Sequence, residues 1–239
     1  MAIYAMSDLH LALSENKPMD VFGGRWNDYM ERIKQNWNSL VREEDTVLIG
    51  GDVSWAMYLG ECRADFDFIE ALPGRKIISK GNHDYWWESI TKLNKYVEDS
   101  GYKTISFLHN NSYVMDSCGI CGTRGWTIPS SDSFKGDDVR FYEREKGRLA
   151  LSAQSLDKCG ISHGIRIAML HYPPVTKEGE LDSGFGDILK EYGISLCLYG
   201  HLHSHAAVGA FCGVAEGIEF RLVSSDYMNF VPYKLNFRE

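Results

Sequence analysis

The sequence predicts an α/β fold, a sheet-rich domain covered by helices, on three observations. Short apolar runs of β type alternate with stretches of helical period through the first hundred residues. Three closely spaced strand-like runs follow between residues 104 and 123, and further strand-like sequence fills the chain after residue 206. In such a pattern each helix buries an apolar stripe against a sheet.

Ala2 to Met6 reads as the first strand. The first helix is expected over residues 26–41, where Trp26, Tyr29, Met30, Ile33, Trp37, Leu40 and Val41 follow one 3.6-residue stripe, so both tryptophans are assigned to the core. Thr46 to Ile49 and Lys76 to Ser79 are strands, with a helix between them and another after them. In that later helix Trp86, Ile90, Leu93 and Val97 share a stripe, while Trp87 faces away with Thr91, Asn94 and Glu98. Thr104 to Leu108, Ser112 to Met115 and Gly119 to Thr123 read as neighbouring strands, with the turn residues of "HNNS" joining the first two. A helix with Val139, Tyr142, Leu149, Ala153 and Leu156 on one face comes next. Arg166 to Leu170, a helix near Asp187 to Tyr192, Ile194 to Leu198 and strands from Ala206 onward complete the expected order.

With 239 residues, 44% of them hydrophobic, the chain can bury one large core. No linker, repeat or biased segment divides it, so residues 1–239 are read as one domain. Apolar runs stop short of the roughly 18 residues a membrane span needs. The N-terminus lacks a basic start and a small-residue cleavage site, which points to a soluble, cytoplasmic protein. Six cysteines are too sparse for a disulfide scaffold, and the "CGIC" pair has no second pair to complete a structural zinc site. A net charge of -8 disfavours long nucleic acid as a partner but leaves a small anionic substrate open.

Polar residues cluster where the apolar runs end. "SDLH" follows the first strand, "GGDVSW" the second and "SKGNHD" the third; "HYPP" and "YGHLHSH" follow two later ones. Ligands of open α/β sheets bind outside the carboxyl ends of the strands, so these five loops can converge on one site. Together they supply the carboxylates of Asp8 and Asp52, the amide of Asn82, and the imidazoles of His10, His83, His171, His201 and His203. Imidazole with carboxylate and no thiolate suits divalent Mn, Fe, Zn or Co better than Ca or Mg, and there are too many ligands for one ion. Glycines 50, 51, 81 and 200 allow tight turns beside these groups.

In order, D-x-H, G-D, G-N-H-D, H and G-H-x-H form a set that resembles the calcineurin-like metallophosphoesterases from residue 8 to residue 203, and within them uncharacterised bacterial predicted phosphohydrolases. The resemblance implies a sandwich of two mixed β-sheets flanked by helices, and a dinuclear site for Mn, Fe or Zn, Mn favoured. It implies one ion on Asp8, His10, Asp52 and His203 and the other on Asp52, Asn82, His171 and His201, with Asp52 bridging. His201 and His203 are two residues apart, so in an extended segment both leave one face. His205 lies outside the motif and reads as a residue of the next strand or a neighbour of the ligands.

Two ions roughly 3.5 to 4 Å apart can share a hydroxide, the expected nucleophile on a phosphate ester. His83, not assigned to a metal, is the expected acid for the leaving oxygen; Asp84 would orient it, cap the following helix, or both. Among substrate contacts, Trp87 is either a pocket wall or a packing residue. Arg124 is either a phosphate clamp or half of a surface ion pair, and Trp126 would stack or cover. Both belong to "TRGWTIPSSDSFKGDD", a long polar loop suited to a lid. Tyr172 is a further candidate. The expected substrate is a small phosphorylated molecule, mono- or diester; the alternative is a protein-binding scaffold of the same fold. The sequence carries no signal for oligomeric state.

Overall fold

The fold was described from a computed structural model, for all residues except 16, 18, 116–117, 160–163 and 237–239. In chain order the first elements are β1 (Ile3–Met6), α1 (Tyr29–Leu40), β2 (Thr46–Ile49), α2 (Arg63–Glu70), β3 (Arg75–Ile78), α3 (Ile90–Ser100) and β4 (Ile105–Phe107). Then come β5 (Tyr113–Met115), β6 (Cys118–Thr123), α4 (Asp138–Lys158), β7 (Ile165–Leu170), α5 (Ser183–Glu191), β8 (Leu196–Tyr199), α6 (Ser204–Val208), β9 (Gly213–Ala215) and β10 (Ile218–Leu222); β11 (Tyr233–Lys234) is last. Two compact units share the chain: Met1–Phe107 with Val223–Glu239, and Leu108–Leu222. Each is a mixed sheet with helices, the α/β class expected from the sequence.

In the first unit the sheet order is β11-β1-β2-β3-β4, with β1 to β4 parallel and β11 antiparallel at the edge. β1 and β2 are buried at every position, which is why they read as unbroken apolar runs rather than alternating ones. Trp37, Phe66, Trp86 and Phe107 are the bulk of this unit's core. Ser89 caps the start of α3 through its hydroxyl, and Gly101, at φ 77°, ends it.

The second unit has the order β5-β6-β7-β8-β10-β9. Its four central strands are parallel and both edges antiparallel. Tyr142, Leu149, Ala153 and Leu156 of α4 pack with Phe185 and Leu189 of α5 over this sheet. Asp182 starts α5 by accepting the Phe185 N–H at 2.8 Å.

Several boundaries differ from the sequence reading. α1 starts at Tyr29 rather than residue 26, because Asp28 is left-handed at φ 51° and Gly24–Trp26 form a separate 3-10 turn. Trp26 and Trp37 are both core. β4 and β5 are not neighbours: β4 closes the first sheet against β3 and β5 pairs with β6 in the second, so "HNNS" joins two sheets, not two paired strands. Val139, expected on the buried stripe of α4, is exposed in its first turn. The segment from Ala206 begins inside the short helix α6, which also contains His205, so that histidine is not in a strand. Among the described residues no helix is long and apolar enough to cross a membrane.

Candidate metal centre

Parallel pairing of β1, β2 and β3 brings their carboxyl ends to one edge of the first sheet, and the loops that leave them carry Asp8, His10, Asp52, Asn82, His83 and Asp84. The loops stay paired past the strand ends. Asp8 N–H donates to the Gly51 carbonyl at 2.8 Å, His10 N–H to Asp52 at 2.9 Å and Leu11 N–H to Val53 at 2.9 Å. Asp8, His10 and Asp52 are left-handed, at φ 60°, 47° and 51°. Non-glycine residues hold this conformation at a cost of about 1–3 kcal/mol each when the surroundings over-determine them, and such strain collects at functional sites.

The side chains that result are close and buried. Asp8 offers a carboxylate oxygen within 4.8 Å of an Asp52 oxygen and of a His10 ring nitrogen. His10 Nε2 lies 3.9 Å from Asp52 Oδ2. Exposure is 0% for Asp8, 3% for His10 and 1% for Asp52, so these charges sit outside bulk water. Ser7 and Ser224 hydroxyls donate to Asp8 Oδ2, and the His83 N–H donates to Asp52 Oδ1 at 2.7 Å. His10 stacks on Trp55 at 4.9 Å and its carbonyl accepts the Tyr29 hydroxyl at 2.6 Å, which fixes both ring and backbone. Two buried carboxylates and an imidazole at this spacing fit a borderline divalent ion.

Asp84 is fully buried. Its carboxylate accepts the backbone N–H of Gly81 at 2.7 Å, Val53 at 2.8 Å and Asp52 at 2.9 Å, and the Trp86 indole at 3.1 Å. The cap of α3 is Ser89, not Asp84. A side chain at Gly81 would strike Asp52 Oδ1, so glycine is required where the second and third loops touch. Below this contact Asp65 accepts the Ser54 hydroxyl at 2.5 Å and the Leu13 N–H at 2.8 Å, and burial holds its carboxyl above the usual carboxylate range. Asp65 was not legible as a site residue, and for Asp84 the contacts with backbone amides were not, because any sequence supplies such amides. Asn82 and His83 are half-buried, with the His83 ring 4.7 Å from Trp55 and 5.7 Å from His10. Trp87 packs in the core against Trp86 and Phe107, each at 5.4 Å, in line with the packing alternative.

In the second unit β6, β7 and β8 are parallel, and the loops that leave them carry Arg124, His171 and His201. The Arg124 carbonyl accepts the N–H groups of both His171 and Tyr172 at 2.9 Å, which ties two of these loops. His171 is fully buried and stands edge-on to His201 at 5.2 Å; Tyr172 covers His201 at 4.1 Å. His201 is left-handed at φ 71°, whereas His203 is extended where it leads into α6. The expected alternation of the two histidines along one extended face is therefore wrong; the turn at His201, not a strand period, aims them. Arg124 is mostly buried, pairs with fully buried Glu145 at 3.3 Å and lies over Trp126 at 4.4 Å; burial lowers its basicity. Trp126 stacks on Phe141 at 4.8 Å and donates to Asp138 at 3.0 Å.

These loops match a known pattern. The family model of the calcineurin-like phosphoesterases fits residues 1–205. The chain belongs to that family. A curated relative, the uncharacterised protein MJ1445 of Methanocaldococcus jannaschii, is 27% identical over 131 residues, which cover 53% of this chain and 66% of that protein, just under two thirds of its length. Solved structures share the fold at low identity. The phosphopantetheinyl hydrolase PptH of Mycobacterium tuberculosis is 14% identical, with 98% of this chain and 95% of that one covered at a TM-score of 0.55. TT1561 of Thermus thermophilus is 13% identical, covering 99% and 98% at 0.54, and AQ665 of Aquifex aeolicus, a protein of unknown function, is 18% identical, covering 98% and 95% at 0.51.

Proposed function

We propose that the two units together form one catalytic domain, a dinuclear phosphoesterase for a small phosphorylated molecule. The observation that carries this is the buried Asp8 and Asp52 pair, two carboxylates within 4.8 Å beside His10. Like charges at that distance destabilise each other unless a cation joins them. Asp8, His10, Asp52 and His203 are the proposed ligands of one ion, and Asp52, Asn82, His171 and His201 those of the other. Manganese is the proposed metal, since nitrogen and oxygen donors without thiolate suit it. Bound there, divalent ions lower the pKa of water toward neutrality and neutralise charge on the phosphoryl group.

The remaining work falls to side chains. His83 delivers its ring proton to the departing oxygen, and its position follows from the 2.7 Å bond that its backbone N–H donates to Asp52 and from the packing of its ring on Trp55. Asp84 is a positioning residue that holds the Asp52 and Gly81 amides in place. Arg124 and Trp126 are proposed to border the substrate from the second unit, where Glu145 keeps the guanidinium in one orientation.

The test is hydrolysis of bis-nitrophenyl phosphate and mononitrophenyl phosphate by one Mn-loaded preparation, with Asp52→Asn as background. Turnover of either ester, lost in the variant, supports the proposal; the faster ester identifies the class. Equal rates from the wild type and Asp52→Asn would reject it.

A further inference from the structure

The second unit carries a half-open cavity of about 640 Å³ with His201 and Tyr172 among its lining residues. That volume lies in the range of roughly 300–1,000 Å³ typical of small-molecule sites and exceeds what one phosphate needs. The expected lid loop contributes Thr127 and Ser130 to Ser133, α6 contributes His205, and Phe211 is a further lining residue.

Charge and chemistry narrow the occupant. The lining includes one lysine, Lys177, 3.9 Å from Glu178, and a second carboxylate, Asp132, so it carries no excess of positive charge and is not suited to a second phosphate. Hydroxyls of Thr127, Ser130, Ser131, Ser133 and Thr176 supply both donors and acceptors. Tyr172 and Phe211 add ring faces. His205 is exposed within this lining and can donate to or accept from a hydroxyl.

We infer that this cavity is the organic subsite of the enzyme and takes a neutral, hydroxyl-bearing ring, a sugar or a nucleoside, attached to the phosphate. This rests on the function proposed above, because it sets the phosphate end of the substrate at His201. His205, outside the ligand motif, becomes a specificity residue.

Gly209 gives a clean way to fill the cavity. It lines the wall, has φ −93° and ψ 8°, and a Cβ added there meets no atom within 4 Å. Gly209→Phe therefore blocks the cavity without straining the backbone. Thymidine and methyl glucoside, neutral probes that cannot be hydrolysed, are titrated into the wild type, Gly209→Phe and His205→Ala by ligand-observed NMR. At least one probe is expected to bind the wild type and to lose roughly tenfold or more in affinity with Gly209→Phe and severalfold with His205→Ala. Binding of thymidine alone assigns a nucleoside, and of methyl glucoside alone a sugar. If neither probe binds, or both variants bind as well as the wild type, the inference is overturned. His205→Ala, at an exposed helical position, decides the matter should Gly209→Phe not fold. Hydrolysis of the nitrophenyl esters is read separately, so failure of the phosphoesterase proposal is distinguishable from failure of the subsite.

Discussion

The carboxylate of Asp84 accepts the backbone N–H of Asp52 at 2.9 Å, and the same carboxylate receives Gly81 and Val53. One buried side chain thus ties the loop after β2 to the loop after β3. Asp84→Asn replaces an acceptor oxygen by an amide that faces N–H donors, and a loss of about 3 kcal/mol is expected from urea unfolding. Hydrolysis should fall by a similar factor for nitrophenyl and alkyl esters, as suits a residue that positions loops. A loss confined to alkyl esters would instead show that Asp84 works through the His83 proton.

His83→Ala separates acid catalysis from structure. An alkoxide leaving group needs a proton and nitrophenolate hardly does, so a loss of about 10²- to 10⁴-fold is expected on the alkyl ester and little on the nitrophenyl ester. Steady-state kinetics on the two esters reads this directly. Equal losses would remove His83 from the acid role.

Lys76 gives the first unit a pH dependence away from the metal centre. It is fully buried at the base of β3, where its ammonium donates to the Leu72 carbonyl and, at 3.0 Å, to the Thr104 hydroxyl. Burial pulls its pKa from 10.5 down to about 8. Below pH 8 both folded and unfolded chains carry the proton and the folded state bears the full burial penalty. Between pH 8 and 10.5 only the unfolded chain holds the proton, so this group's contribution to stability rises with pH, by about 3 kcal/mol in all. Lys76→Met is expected to be more stable at pH 7 and to lose that rise; unfolding at pH 7, 9 and 10.5 checks both.

Much of the fold was legible because buried parallel strands such as β1, β2 and β8 are short apolar runs, each followed by polar residues. What failed had local causes. Nothing between Leu108 and Tyr113 marks a change of sheet, since a turn sequence looks the same whether or not the strands on either side pair. Helix α6 is a single short turn with no period to read. His201 escaped the strand alternation because a left-handed residue breaks it. Among site residues, the ligand candidates and Asp84 could be read from side-chain chemistry, whereas Asp65 and the contacts of Asp84 with backbone amides could not, since any sequence supplies such amides. For Trp87 the sequence left wall and packing open, and the helical stripe does not apply to it because the helix starts after it, at Ile90.

The central claim is that Asp8 and Asp52 are together because two metal ions are held there. The most direct measurement is the metal content of purified wild-type and Asp52→Asn protein by mass spectrometry after loading with Mn and exhaustive dialysis. Two equivalents per chain in the wild type and no more than one in Asp52→Asn are expected. Metal content near zero in the wild type, or unchanged in Asp52→Asn, would contradict it.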